Sequence, residues 1–318
     1  MIRRLFAAWA ALLLMLGAPE ARAETLIMGI KLAPSSMDPH FRLAGENDTT
    51  LQHLYARVIQ ETPDLKLSPG IALSWRTLDD TTWEFKLRPG AKFSDGTLIT
   101  AEDVIYSLNR IPRIENSPGG YIIFVRSIAA MRAVDPLTLH ITTKEPYPFL
   151  AVDMARIFVV PRSLGEDIKT GDFNDLKAKI TSGPYRPVLY VPQDRLEREA
   201  NPHWYGGKPA WDRVVIRQIS SDTSRVAALL AGDVQAINEV PIQDMARVKG
   251  DAKLRVSDMA GSRVMYVAMD MDRDTSPFVR DAGGQPMTKN PLKDVRVRKA
   301  LSYAINRQAI IDRVLEGA

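Results

Sequence analysis

The stretch Thr81–Ile111, TTWEFKLRPGAKFSDGTLITAEDVIYSLNRI, carries the strongest local structural signals in the chain. Between Thr82 and Arg88, apolar and charged residues alternate with the period of two that is typical of a half-buried strand. Two turn signals, PG and DG, follow. Thr100 then stands three residues before Asp103, a spacing that predicts a capped helix, and Pro112 ends that helix. The stretch therefore predicts one strand of a hairpin, two turns and an amphipathic helix.

Outward from this stretch, the same periodicities predict strands that alternate with helices. The predicted strands are Thr25–Lys31, Ser74–Leu78, Leu137–Ile141, Tyr185–Val191, Arg195–Ala200, Val214–Ile219, Leu254–Val256 and Val264–Met269. The other predicted helices run from Asn47 or Asp48 to about Ile59 and over Asp222–Leu230, Pro241–Val248 and Asp294–Ile305. Arg273–Asn290, rich in glycine, proline and charge, is the clearest predicted loop. Strands and helices that alternate at this spacing indicate α/β layers.

The first 23 residues have the pattern of a cleavable export signal. A basic Arg-Arg pair precedes Leu5–Ala18, an apolar run of 14 residues. This run is shorter than the ~20 residues that span a bilayer. Ala21–Ala23 supplies a small-x-small cleavage pattern, so we expect cleavage between Ala23 and Glu24 and export to a bacterial periplasm. A retained N-terminal anchor is the alternative.

The composition excludes several classes of protein. The 318 residues carry a formal charge of +4, contain no cysteine and are 45% hydrophobic. Loss of residues 1–23 removes three arginines and one glutamate and leaves a charge of +2. A balance so close to neutral does not indicate a nucleic-acid partner. A chain without cysteine has no disulfide scaffold, thiol nucleophile or lipid-anchoring cysteine.

Motifs for catalysis are missing from the sequence. It contains no nucleophile elbow, phosphate-binding loop, dinucleotide-binding fingerprint or H-E-x-x-H helix. Its histidines stand too far apart for metal-ligand spacing: His40, His53, His140 and His203. We therefore predict a protein that is not an enzyme and that requires no metal or cofactor.

Four further segments carry a recognisable pattern. They are SSMDPH (Ser35–His40), TSGPY (Thr181–Tyr185), SSDTSRVAALLAGDVQAI (Ser220–Ile237) and NPLKDVRVRKALSYAINRQAII (Asn290–Ile311). With Thr81–Ile111, they resemble, in this order, the peptide/nickel/opine class (family 5) of extracellular solute-binding proteins, which serve ABC importers of the dipeptide and oligopeptide type. Five matches in order, spread over essentially the whole chain after the signal, make the resemblance specific.

The resemblance implies an α/β, two-lobed periplasmic binding protein of type II, with an extra subdomain inserted in lobe I. The expected division is a signal peptide at 1–23, lobe I at 24–50 and 183–261, the inserted subdomain at 51–182 and the start of lobe II at 262–318. In the family, the segment that resembles Asn290–Ile311 lies near the middle of the chain, whereas here it is nearly terminal. We therefore expect lobe II to be incomplete in this chain.

Four residues take positions that resemble ligand contacts of the family. Arg42 and Asn47 belong to the first cleft loop, and Tyr266 matches a recurrent cleft aromatic. Arg156 lies near where some members place a cation for a ligand carboxylate. The alternative roles of Arg42, Asn47 and Tyr266 are an exposed loop cation, a helix cap and a packed strand residue. At Asp270 the family usually has asparagine, which separates this chain from the common pattern.

By the same resemblance, we expect a monomer that captures a small peptide-like or opine-like solute and delivers it to the permease subunits of an ABC importer. Its work is capture and docking, without covalent chemistry. An exported hydrolase is one alternative, and it requires a nucleophile–base pair or metal ligands. A sensory or chaperone-like binding protein on the same fold is the other.

Overall fold

The computed structural model describes residues 24–257 and 265–315. Within these ranges, residues 24–239 form one compact unit, and residues 240–257 and 265–315 form a second. We describe each unit by itself. The predicted signal peptide, residues 1–23, lies outside the described residues. None of the helices within these ranges has the length and apolarity that crossing a membrane requires.

The first unit contains the three sheets of the described residues, the smallest of which pairs only β2 with β3. Its strands are β1 (Thr25–Ile30), β2 (Ile59–Glu61), β3 (Leu67–Pro69), β4 (Ala72–Thr77), β5 (Thr82–Leu87), β6 (Ile128–Asp135), β7 (Thr138–Thr143), β8 (Tyr185–Val191), β9 (Arg195–Ala200), β10 (Arg213–Gln218) and β11 (Ala236–Ile237). Its helices are α1 (Gly45–Leu51), α2 (Ala101–Arg110), α3 (Leu150–Met154), α4 (Thr170–Asn174) and α5 (Asp222–Ala231). The second unit contains α6 (Ile242–Gly250), α7 (Val295–Ala304) and α8 (Arg307–Arg313).

A five-stranded mixed sheet has the order β11-β1-β10-β9-β8. β1 is parallel to both of its neighbours, whereas β9 is antiparallel to β8 and to β10. The parallel arrangement requires a crossover, and α5 supplies it between β10 and β11. Ser221 caps the start of α5 by accepting a hydrogen bond from the amide of Ser224 at 3.3 Å, and Gly232 ends it with a φ of 82°. Because of this topology, β1 lies beside strands that are far away in sequence.

A four-stranded antiparallel sheet has the order β4-β5-β7-β6, which confirms the predicted hairpin of Ser74–Leu78 with Thr82–Arg88 and the predicted strand Leu137–Ile141. Phe85 of β5 pairs with Leu139 of β7, and both side chains are fully buried. α2 packs beside this sheet with the predicted cap, since the carboxylate of Asp103 accepts hydrogen bonds from the amide and the hydroxyl of Thr100 at 2.9 and 2.8 Å. The alternation of β5 thus places its apolar face in the core.

The prediction for the helix after the first loop is wrong at both ends. The helix begins at Gly45, because the side chain of Asn47 bonds back to Ser35 and does not cap the helix. It ends at Leu51, and Ile59 lies in strand β2. The amide of Val58 donates to the carbonyl of Ile157 at 3.0 Å, so pairing with a distant segment replaces further helical turns.

The second unit contains two further capped helices. α7 lies where the sequence predicts a helix over Asp294–Ile305. Asp294 caps it by accepting a hydrogen bond from the amide of Arg296, and Asn306 caps α8. The predicted strand Val264–Met269 is wrong for residues 265–269, which pair with no strand in the described part of the chain. Val264 itself lies outside the described residues. Residues 254–256 likewise form no strand. A strand requires a partner, and apolar content alone does not supply one.

The predicted α/β class is confirmed by these sheets and helices. Residues 24–50 and 183–237 contribute strands to one sheet, while the four-stranded sheet lies within residues 72–143. The division into lobe I, inserted subdomain and lobe II stays a prediction.

Candidate functional site

The loop between β1 and α1, residues 31–44, is the first candidate region, and we call it the first loop. Asn47 lies in the first turn of α1, directly after the loop, and is fully buried. Its side-chain oxygen accepts hydrogen bonds from the amide and the hydroxyl of Ser35, both at 3.1 Å, and its nitrogen donates to the carbonyl of Ser36 at 3.3 Å. Asn47 therefore sets the path of the first loop from within.

A buried ion pair fixes the middle of the first loop. Arg110, at the end of α2, donates to both carboxylate oxygens of Asp38 at 2.8 and 2.6 Å. Thr170 of α4 donates to the same carboxylate at 2.7 Å. Burial raises the pKa of Asp38, but the hydrogen bonds and the charge of Arg110 outweigh burial and hold it below the usual value. This bidentate geometry is the strong form of an arginine–carboxylate contact.

His40 completes this buried group, which we call the clamp: Asp38, His40, Arg110 and Thr170. Its Nε2 atom lies 2.8 Å from the carbonyl oxygen of Phe158, and its Nδ1 atom lies 3.4 Å from Nη1 of Arg110. Burial, with a further contribution from the Arg110 charge, lowers the pKa of His40 to about 4. His40 is therefore neutral at neutral pH.

Arg42 lies on the outer part of the first loop. Its side chain is 43% exposed and lies 3.7 Å from the carboxylate of Glu46. A long hydrogen bond of 3.4 Å joins it to the hydroxyl of Ser35. Both contacts are weak, because exposed ion pairs contribute little free energy. The guanidinium of Arg42 is therefore exposed and only weakly bound to Glu46 and Ser35.

Arg156 lies on the segment that follows α3. Its guanidinium is 35% exposed and forms an ion pair of 2.8 Å with Glu61 of β2. Two residues later, Phe158 contacts the clamp through its carbonyl and lies under Arg57, whose guanidinium is 4.9 Å from the ring centre. The segment carrying Arg156 is therefore linked to the first loop through Phe158, but the carboxylate that Arg156 contacts belongs to the protein itself.

Tyr266 belongs to the second unit, where its side chain is 81% exposed. The nearby Asp270 accepts hydrogen bonds from Ser276 at 2.7 Å and Arg273 at 2.9 Å, and these bonds lower its pKa to about 2. Asn290 donates to the carbonyl of Asp270 at 2.8 Å. By accepting these hydrogen bonds, the carboxylate of Asp270 holds the following loop, residues 271–276, in its conformation.

A cavity of about 350 Å³ lies next to the clamp. Arg110 and Thr170 contribute to its lining, as do Arg113 and Glu166, which form an ion pair of 3.2 Å. Because its lining carries charges of both signs, this cavity shows no preference for one class of ligand. No group of three or more histidine or acidic side chains suited to a metal ion occurs in residues 24–257 and 265–315.

The sequence interpretation identified Asp38 and His40 as part of a loop motif but missed Arg110. A signal for it exists in α2. Asp103, Ser107 and Arg110 are spaced by four and three residues, so they share one side of the helix, and all three are buried. A polar stripe at this spacing, next to the apolar stripe, indicates buried hydrogen-bonding partners.

Known proteins share both the sequence pattern and the fold. The chain is 28% identical over 306 residues to the "Probable D,D-dipeptide-binding periplasmic protein DdpA" of Escherichia coli (strain K12), a match that covers 92% of this chain and 55% of that protein. The structure of NikZ from Campylobacter jejuni in complex with Ni(L-His) matches with a TM-score of 0.71 and 20% identity, covering 92% of this chain and 55% of NikZ. The chain spans about half the length of the curated relatives it matches.

A third relative has a different ligand. The structure of the binding protein AgaA from A. tumefaciens R10, in complex with agropinic acid, matches with a TM-score of 0.61 and 27% identity, covering 72% of this chain and 46% of AgaA. The family model described as "Bacterial extracellular solute-binding proteins, family 5 Middle" matches residues 66–318, which is most of the chain. The predicted family is thereby confirmed: the chain belongs to the bacterial extracellular solute-binding proteins of family 5.

Proposed function

We propose that this chain is the solute-binding component of an ABC importer and that it captures a small peptide-like or opine-like solute. The observation that carries the proposal is the first loop, which the buried clamp holds in place and which presents the exposed cation Arg42. Relatives whose names specify dipeptides and a structure containing agropinic acid support this solute class.

In this proposal Arg42 contacts the carboxylate of the solute. Its local partner Glu46 lies at 3.7 Å, so a carboxylate at hydrogen-bonding distance can replace that contact. Arg156 is the second cationic candidate, and it must exchange the 2.8 Å contact with Glu61 for the solute. Asn47 acts indirectly by shaping the loop. Tyr266, in the second unit, remains a predicted aromatic contact.

Binding is the work of the protein in this proposal, and no covalent step is involved. A hydrogen bond between a charged guanidinium and a carboxylate contributes roughly 1.5–3 kcal/mol, which corresponds to about ten- to a hundred-fold in affinity. The clamp makes this contribution larger by holding the loop before the solute arrives, because ordering a loop on binding costs conformational entropy.

Export and docking complete the proposed function. Cleavage after Ala23 releases a protein that begins at Glu24 in the periplasm, where it acts as a monomer and delivers the solute to permease subunits. The periplasmic dipeptide-binding relative supports this location.

Calorimetric titration of the exported protein, expressed from its full reading frame, tests the proposal. We expect L-alanyl-L-alanine, D-alanyl-D-alanine or agropinic acid to bind, and Arg42→Ala to weaken that binding at least ten-fold. Arg186→Ala is the matched control, since Arg186 is 47% exposed and pairs with Glu199 at 2.9 Å on the edge strand β8. Binding of none of the three solutes, or an equal loss in both variants, would contradict the proposal.

A further inference from the structure

The hydrogen bonds of His40 fix its protonation state by geometry. A carbonyl oxygen only accepts, so Nε2, at 2.8 Å from the carbonyl of Phe158, must carry a proton. A guanidinium only donates, so Nδ1, at 3.4 Å from Nη1 of Arg110, must accept. The neutral tautomer with its proton on Nε2 meets both requirements. A second proton, on Nδ1, would place an N–H donor against the N–H donor of Arg110.

The surroundings of His40 offer little to stabilise a second proton. The charged groups that act on its ring are Arg110 and Asp38, and Tyr121 packs against it. The surrounding elements also carry Asp48, Tyr55, Arg57, Asp103, Tyr106 and Asp172. Of these carboxylates, Asp38 is engaged by Arg110 and Thr170, and Asp48 forms an ion pair with Arg57. An imidazolium would therefore face the Arg110 cation in a buried site, where like charges repel strongly.

We infer that His40 is an acid-sensitive latch of the first loop: protonation of its Nδ1 atom breaks the clamp and releases the segment that carries Arg42. As a consequence for the solute, which rests on the proposed function, capture weakens in acid. Proton uptake at His40 and loosening of the first loop are one event in this inference. No other residue has to change its charge.

The acid range follows from the local environment of the ring. Burial and the Arg110 charge lower the pKa of His40 to about 4. About one tenth of the molecules then carry the extra proton at pH 5, and about half carry it at pH 4. The first loop is therefore held in place at neutral pH and is released only as the pH falls below about 5.

Two measurements on the solute-free protein test the latch. Proton NMR of the histidine rings follows the titration of His40 between pH 7 and pH 3.5. Amide exchange, corrected for its intrinsic pH dependence, follows the first loop at Met37, whose amide donates to Asn174 at 2.8 Å, and at Leu43, whose amide donates to the carbonyl of Gly119 at 3.0 Å. The amide of Ile219, bonded to the carbonyl of Ile30 in the sheet, serves as the internal reference.

We expect the protection of the two loop amides to fall at least ten-fold from pH 7 to pH 4, while the amide of Ile219 stays protected. The midpoint of this fall should coincide with the midpoint of the His40 titration. His40→Gln keeps a neutral donor for the Phe158 carbonyl and should abolish this fall. His53→Gln is the control, because His53 has the same lowered pKa, about 4, but faces Arg198 and makes no contact with the clamp.

The inference is overturned if His40 titrates while the wild-type loop amides keep their protection, or if the loop loosens equally in His40→Gln. A separate titration with L-alanyl-L-alanine at pH 7 and pH 4.5 then tests the consequence for capture. Failure of that dipeptide, of D-alanyl-D-alanine and of agropinic acid to bind at either pH contradicts the proposed solute class and leaves the exchange result, which needs no solute, as the test of the latch.

Discussion

Replacing Arg225 by methionine should strongly destabilise the first unit. This guanidinium is fully buried and donates to the carbonyls of Ile219, Asn238 and Glu239 at 3.0, 3.1 and 2.9 Å, and to Asp222 at 2.7 Å. Methionine fills similar space but leaves those three carbonyl oxygens without their donor. A buried polar group left unpaired costs about 1–3 kcal/mol, and these hydrogen bonds are partly buried, so the free energy of unfolding should fall by about 2–4 kcal/mol.

The same substitution at Arg198 should have the opposite sign. Arg198 is buried too, but its Nε atom has no hydrogen-bond partner and its charge no carboxylate partner among the described residues. Within the described ranges its guanidinium makes one hydrogen bond, a long one of 3.5 Å to the carbonyl of Thr50, and lies 5.1 Å from the centre of the Tyr185 ring. Burial lowers its pKa to about 10, which measures the cost of holding the charge there. Arg198→Met should therefore stabilise the unit by about 1–3 kcal/mol.

Chemical denaturation monitored by tryptophan fluorescence is the appropriate assay. Every tryptophan after the predicted signal lies in the first unit: Trp75, Trp83, Trp204 and Trp211. The midpoint should shift in opposite directions in the two variants, with an unchanged denaturant dependence. Surface substitutions usually change the free energy of unfolding by no more than about 0.5 kcal/mol. A change no larger than this in Arg225→Met refutes the expectation, and so does an equal destabilisation in both variants.

Three further results are expected. Mass spectrometry of the exported protein should find Glu24 at the amino terminus; a chain that retains Met1 contradicts the cleavage prediction. Phe85→Ala should cost about 3–5 kcal/mol and the half-buried Trp83→Ala less, and equal losses would mean that the burial of strand β5 is wrong. The free energy of unfolding should fall as the pH drops from about 6.5 to about 4, by up to roughly 3 kcal/mol each for the buried His40 and the partly buried His53, because both take up protons on unfolding. A pH-independent denaturation midpoint in that window contradicts this.

Local patterns in the sequence predicted the sheets well. The alternation around Phe85 and the spacing of Thr100 and Asp103 depend on neighbours within a few residues, and the structure has the strand and the cap in those places. The parallel partners of β1 could not be predicted in the same way. Arg213 of β10, the partner of Thr25 in β1, follows it by almost two hundred residues, and the chain reaches β11 only through the crossover helix α5.

The candidate site was predicted only in part for the same physical reason. Arg42 and Asn47 follow from the resemblance of the first loop, but what holds that loop is Arg110, 72 residues after Asp38. A polar contact between distant residues produces no sequence periodicity that identifies both partners. The buried polar stripe of α2 identifies Arg110, but nothing in the sequence pairs it with Asp38. Helix α1 is shorter than predicted because backbone groups beyond Leu51 bond to distant segments.

The most direct test of the central claim compares a dipeptide with its amide. L-alanyl-L-alanine and its C-terminal amide differ only in the carboxylate that we assign to Arg42, so titration of both into wild type and Arg42→Ala forms a double-mutant cycle. We predict that amidation weakens binding to wild type about ten- to a hundred-fold and changes binding to Arg42→Ala little. Equal effects of amidation in the two proteins would contradict the claim that the first loop captures the solute through Arg42.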